Sequence, residues 1–131
     1  MIGRKTGRII NLSSIAGKRG RAMSSCYSAS KFGVIGFTQS LAHECGGFNI
    51  TANAICPGEV QTHMWNNVLS PAIAAVSGQT PQEAFDAWIE REVPLKRAQT
   101  AEDMGQAVIY LCKADNVTGI ALGVSGGTEM G

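Results

Sequence analysis

The sequence predicts an α/β protein with about three parallel strands, near residues 8–13, 49–56 and 120–125, joined by crossover helices. Three observations predict it. Short apolar runs bounded by glycine or proline alternate with longer segments of helical length, in the order strand, helix, strand, helices, strand. Alternation of that kind implies a parallel sheet with helical connections. The first long helical segment is apolar on nearly all sides, as a helix buried on more than one side is. Two later helices open with capping-box residues.

In chain order, Ile2, Arg4, Lys5 and Gly7 read as the last turn of a helix, with cations where backbone carbonyls carry partial negative charge and glycine as its cap. Six residues do not make a stable helix, so the chain reads as beginning at the end of an element. Residues 8–13 (Arg-Ile-Ile-Asn-Leu-Ser) form the first strand candidate, and the small, basic stretch 14–25 a loop. Residues 27–45 have helical length, anchored by Phe32, Ile35, Leu41 and Ala42, and Gly46-Gly47 ends them. Residues 49–56 make a second strand, stopped by Pro57-Gly58. Short helices are expected at 62–69 and 71–77. A clearer one runs 81–92: Thr80 caps it, Pro81 takes the first turn, and Glu83 completes a capping box. Phe85, Trp88 and Ile89 mark its apolar face. Thr100 and Asp103 repeat that logic for a helix over 101–113, with Met104, Ala107, Val108 and Leu111 on one stripe. Residues 120–125 form the last strand.

Composition narrows the class. The chain has 131 residues, with 16% charged side chains against roughly 25% in an average domain. Apolar residues make up 44%, ordinary for a globular chain, so composition does not imply disorder. No apolar run of 18 or more residues is present, and no secretory signal pattern opens the chain. Cys26, Cys45, Cys56 and Cys112 lack metal-ligand spacing, and His43 and His63 do not complete a zinc set. Reduced thiols, and hence a cytoplasmic protein, are expected, with Cys26 and Cys56 as buried small residues. All ten acids lie at or after Glu44, so residues 1–43 carry +7 and the rest −6. A basic half invites a nucleic-acid reading, but the cations are interleaved with strand-like apolar residues, and that reading ranks last. Lys18, Arg19 and Arg21 are expected to be solvated. His63 and Trp65 line either a substrate or a packing surface.

Tyr27 and Lys31 stand four apart on one helix and share a face. A phenol ordinarily ionises near pH 10, and a neighbouring ammonium stabilises its phenolate, so the pair suits proton transfer to a carbonyl oxygen. Alone the pair is a weak signal, since an exposed helix pair looks the same. Ser14 adds context. It stands at the end of the first strand, and ligands of open α/β sheets bind outside the carboxyl ends of strands. A hydroxyl there hydrogen-bonds a substrate oxygen as charge builds on it. Asn53-Ala54-Ile55-Cys56-Pro57-Gly58 would bring a second turn to the same rim.

With these motifs assembled, the chain resembles the C-terminal half of a short-chain dehydrogenase/reductase. The matching stretches are Gly7 to Ser14, Tyr27-Ser28-Ala29-Ser30-Lys31, Asn53 to Gly58 with Val60 and Thr62, and Thr118-Gly119 followed by Gly126-Gly127. They span nearly the whole chain in the family's order. The resemblance implies a partial Rossmann-like, doubly wound fold in which 1–131 is the C-terminal part of a single NAD(P)-binding domain and 59–98 is a lid on the substrate side. It implies Tyr27 as catalytic acid, Lys31 as its electrostatic partner and ribose ligand, and Ser14 as the group that orients the substrate carbonyl or alcohol. Pro57, Gly58 and Val60, with the Thr62 hydroxyl, would face the nicotinamide of NAD or NADP. The implied reaction is hydride transfer on a small alcohol or carbonyl compound, with polyols, sugars or hydroxyketones as the expected substrates. A homo-oligomer is implied too, formed partly through the helix at 27–45; no nucleic-acid, membrane or metal partner is.

Family members are roughly twice this length. The dinucleotide-binding half that precedes this region in them, with its glycine-rich turn, is not found within these residues, so weak or no dinucleotide binding by this chain alone is expected. The alternative expectation is a non-catalytic remnant that folds poorly or only associates with similar chains. Thr118 to Ser125 imitates the glycine-rich turn, but too few residues come after it for the helix that must succeed it; a strand is expected there.

Overall fold

The run Ile50–Pro57 is the strand on which the other elements are arranged. Successive side chains of a strand point to opposite faces, and every residue from Ile50 to Cys56 is buried, so both faces of this strand are covered. In the computed structural model, which describes residues 1–130, it is the central strand β2 of a parallel sheet ordered β1-β2-β3. β1 is Gly7–Leu12 and β3 is Ala121–Val124. Gly7 pairs with Ile50 and the register continues to Leu12 with Ile55. β3 begins further along, Ala54 opposite Ala121 and Pro57 opposite Val124. A helix α1, Ser25–Gly46, connects β1 to β2. Three helices, α2 (Ser70–Ser77), α3 (Pro81–Glu92) and α4 (Ala101–Lys113), lie between β2 and β3. Both α1 and α4 pack on β2. The fold is the expected α/β, Rossmann-like arrangement, with each strand within a residue or two of its predicted span. Among the described residues no helix is long and apolar enough to cross a membrane.

Both capping boxes form. Thr80 Oγ1 accepts from Glu83 N while Glu83 Oε2 accepts from Thr80 N at 2.8 Å. Thr100 and Asp103 do the same at the start of α4. The imitation of a glycine-rich turn at 118–125 is strand β3 with its entry loop.

Several details depart from expectation. The first turn is a 3₁₀ turn, Ile2–Arg4, capped by Lys5 in the left-handed region (φ 49°). Gly7 is not the cap but the first residue of β1, pressed so closely by the Met1 side chain that a Cβ would collide with it. The face that α1 turns to the protein is not built from its large apolar residues. Ser28, Thr38 and Ala42 are buried, whereas Phe32 is 46% exposed. Small and β-branched residues let the helix approach β1 closely enough for Asn11 Nδ2 to donate to Thr38 Oγ1 at 2.9 Å. The helices expected at 62–69 and 71–77 are one continuous run whose Trp65–Leu69 turn is π-helical. Pro71 has no N–H to return to the preceding turn, and the backbone widens ahead of it.

Residues 59–98 build a second, smaller core. Trp65, Phe85, Ile89 and Val93 are buried together, with Ile73, Trp88 and Ala98 against them. Trp65 meets Phe85 and Trp88 edge to face, with ring centroids 5.1 and 5.7 Å apart, a favoured arrangement of aromatic quadrupoles. Trp65 is therefore a packing residue, and its neighbour His63 is exposed.

Candidate active site

Parallel strands finish on the same edge of their sheet, so the segments after Leu12, Pro57 and Val124 form one rim. β1 leaves the sheet through Ser13 and Ser14. Ser13 N still donates to Ile55 O at 2.8 Å, which holds this exit against β2. Ser14 caps a single 3₁₀ turn, Ile15–Gly17, and its Oγ accepts from Ala16 N at 3.1 Å. That leaves the hydroxyl proton of Ser14 available to another acceptor. Gly17 is required here: a Cβ would stand 2.6 Å from both Lys31 O and Ser13 Oγ.

α1 begins at Ser25, so Tyr27 and Lys31 fall in its first two turns. Lys31 Nζ lies 5.7 Å from the Tyr27 ring centroid and donates to Leu12 O at 3.3 Å. Ser13 Oγ donates to Lys31 O at 2.8 Å. The first turns of α1 are thereby fastened to the end of β1, and the phenol is brought to the rim. Tyr27 remains 40% exposed, accessible to a ligand.

β2 ends beneath the same groups. The Cys56 thiol is fully buried. Burial pushes it above its ordinary ionisation range, against weaker opposing pulls from the Ser13 hydroxyl and the Lys18 and Lys31 charges. After Pro57 the chain turns at Gly58, whose N–H donates to Val124 O at 3.0 Å. A Cβ on Gly58 would sit 2.6 Å from Gln99 Oε1 and 2.7 Å from Ser125 Cα, so only glycine permits this close passage. Gln99 braces the next two residues: its Oε1 accepts from Glu59 N at 2.7 Å, and its backbone pairs with Val60 in a parallel bridge. Thr62 is exposed just beyond.

The structure thus brings Ser14, Tyr27, Lys31 and the Pro57–Val60 turn to one rim, with Thr62 at its margin. The Tyr27 and Thr62 side chains there are exposed, and Ser14 and Lys31 are half-buried, so hydroxyl and ammonium groups of the kind that could hold ribose hydroxyls reach the surface together. Among the described residues no glycine-rich strand-to-helix turn of the kind that cradles a pyrophosphate is present. Among the described residues no three His, Cys, Asp or Glu side chains gather as metal ligands would.

Asn53 plays a different part from the rest of its motif. It is fully buried within β2, its Nδ2 donating to Val117 O at 2.8 Å and its Oδ1 accepting from Ile120 N. It fixes the entry to β3 rather than the rim. Cys26 is exposed, not buried as expected, because it lies on the outer side of the first turn of α1. Nor are the loop cations simply solvated: Arg19 Nε lies 3.3 Å from Glu129 and Arg21 Nη1 3.7 Å from Glu59. Ser13 and Gln99 carry much of the geometry and were not singled out by sequence. Ser13 had a usable signal in standing next to Ser14 at a strand end; Gln99, remote from the rim in sequence, had none.

Comparison with known proteins gives the arrangement its relatives. Residues 1–129 match the family model described as enoyl-(acyl carrier protein) reductase. A ketoacyl reductase ascribed to the monensin polyketide synthase of Streptomyces virginiae is 42% identical over 126 residues, 95% of this chain and 48% of that protein. The crystal structure of sorbitol-6-phosphate 2-dehydrogenase from Erwinia amylovora superposes with a TM-score of 0.91 at 36% identity, covering 99% of this chain and 52% of that one. The F189W actinorhodin polyketide ketoreductase with NADPH gives a TM-score of 0.90 at 40% identity, covering 98% and 49%. The chain spans about half the length of the relatives it matches.

Proposed function

Because this chain belongs to the short-chain dehydrogenase/reductase family, we propose that it carries the proton-transfer and substrate-orienting part of an NAD(P)-dependent oxidoreductase site. The substrate is an alcohol–carbonyl pair. The observation that carries the reading is the fastening of Tyr27 and Lys31 to the strand end that bears Ser14, through Lys31 Nζ on Leu12 O and Ser13 Oγ on Lys31 O.

A nicotinamide dinucleotide, when bound, supplies or accepts the hydride. The Tyr27 phenol donates its proton to the carbonyl oxygen during reduction and takes it back during oxidation, a role that contributes about 10²–10⁴-fold. The Lys31 ammonium places positive charge beside the phenol and offers donors to ribose hydroxyls. Ser14 Oγ donates to the substrate oxygen, where a fixed donor matters most as negative charge develops. The backbone of Pro57, Gly58 and Val60 and the Thr62 hydroxyl line the nicotinamide side, and residues 59–98 form the substrate-side lid of a single NAD(P)-binding domain. A cytoplasmic homo-oligomer acting on a small molecule fits the reading.

The test is consumption of NADPH or NADH, supplied in large excess to offset the weak dinucleotide binding expected of this chain alone, with β-keto acyl compounds, hydroxyketones and sugars as acceptors. Activity with one of them, reduced at least about 10²-fold in Tyr27→Phe with the fold intact, is the expected result. Undiminished activity in Tyr27→Phe overturns the assignment.

One observation favours a second reading, a chain that acts by associating with similar chains. The outer edge of β1 has no partner among the described residues, and Leu12, Phe32, Phe37, Ile109 and Tyr110 are exposed.

A further inference from the structure

The loop between Ser14 and Tyr27 carries cations for which proton transfer has no use, and two of them tie the rim together. Arg19 reaches Glu129, beyond β3, and Arg21 reaches Glu59, beyond β2. The exit of β1 is thus fastened to the exits of both other strands.

The Arg21 tie is the more central. Glu59 comes directly after Gly58 and is only 8% exposed, with its N–H held by Gln99. The Arg21 guanidinium also lies over the Trp88 ring, 5.8 Å from its centroid, and so touches α3. One planar cation therefore joins three elements: the loop after β1, the turn after β2 and a helix of the 59–98 segment. Arginine suits this place because it stacks on an aromatic ring and keeps its charge when partly buried. Its Nη2 is buried without a hydrogen-bond partner, so no hydrogen bond from that nitrogen adds to the hold of the ring and of Glu59.

We propose that Arg21 is a positioning residue, which fastens the loop carrying Ser14 to the Gly58–Glu59 turn and to α3 and so fixes the rim against its lid. The proposal rests on the reading of that rim as an oxidoreductase site, but the fastening itself has a readout independent of activity. Truncating Arg21 leaves Glu59 as a largely buried carboxylate with no counter-charge, a costly state. Removing both partners removes that cost.

Hydrogen exchange read by mass spectrometry on the 131-residue chain tests it, comparing wild type with Arg21→Gln, Arg21→Lys and the double variant Arg21→Gln/Glu59→Gln. In Arg21→Gln, exchange is expected to rise about ten-fold over 15–24 and 59–61, the effect of a lost charge-assisted contact, while β2 and α4 keep their protection. The double variant regains part of the protection, and Arg21→Lys falls between wild type and Arg21→Gln. Wild-type exchange in both segments of Arg21→Gln overturns the proposal, and so does a rise spread evenly over the chain. Where reductase activity is measurable, Arg21→Gln lowers kcat and Arg21→Lys restores part of it, since Arg21 holds the Ser14 loop and the turn after β2 in place together. An unchanged kcat in Arg21→Gln overturns the positioning role. A wild-type chain that binds dinucleotide but shows no reductase activity counts against the oxidoreductase reading, and the exchange pattern alone then decides the fastening.

Discussion

Cys56 and Cys26 are the same residue type with opposite surroundings, and the contrast can be measured. Cys56 stands at the buried end of β2, where desolvation raises its thiol and keeps it protonated at neutral pH. Cys26 and Cys112 are exposed. The thiolate is the reactive form, so Cys26 and Cys112 are expected to react with iodoacetamide in the native chain while Cys56 reacts only after unfolding. Mapping the labelled peptides checks this; early labelling of Cys56 would contradict its burial. At the same scale the shared helix face of Tyr27 and Lys31 was legible because their spacing is local, and the placement of Ser14 because it stands at a strand end. Ser13, Gln99 and the Arg21–Glu59 pair were not, because their partners lie far along the chain and obey no period.

The two capping boxes are the elements where sequence and structure agree most closely, since cap chemistry involves residues only three apart. Glu83 accepts from the Thr80 backbone and hydroxyl, and both bonds hold its carboxyl below the usual range. A carboxyl lowered in the folded state contributes stability that is present above its unfolded value and is lost as pH falls through the folded one. α3 is therefore expected to fray in acid below about pH 4, the ordinary range of an unfolded glutamate. Thr80→Ala is expected to destabilise the helix start by about 1 kcal/mol at neutral pH. Urea titrations of both proteins at pH 7 and pH 3 check this: the gap between them should shrink in acid. α1 was the less legible element. Its apolar residues do not follow its buried face, because close packing on β1 and β2 selects Ser28, Thr38 and Ala42 instead.

For the molecule as a whole, the low fraction of charge has a structural counterpart. β1 is an unpaired sheet edge among the described residues, and Phe32, Phe37, Ile109 and Tyr110 leave apolar surface on α1 and α4. Exposed apolar patches and open strand edges promote association. Sedimentation at micromolar concentration is expected to give a species larger than one 131-residue chain; a clean monomer would weigh against this. Calorimetric titration with NAD and NADP is expected to show weak or no binding by the 131-residue polypeptide, because among the described residues no glycine-rich turn offers a backbone N–H cradle for a pyrophosphate. Micromolar affinity would show that the rim suffices.

By itself the sequence determined the order of strands and helices, both capping boxes, and the shared face of Tyr27 and Lys31. Each depends on residues a few positions apart, whose periodicity or cap chemistry acts before any tertiary contact forms. Only the tertiary structure decided that Ser13 closes on Lys31, that Gln99 braces the turn at Gly58, and that Arg19 and Arg21 join the three strand exits. Those pairs meet because parallel strands must end on one edge, and the crossovers that put them there separate their residues by tens of positions along the chain.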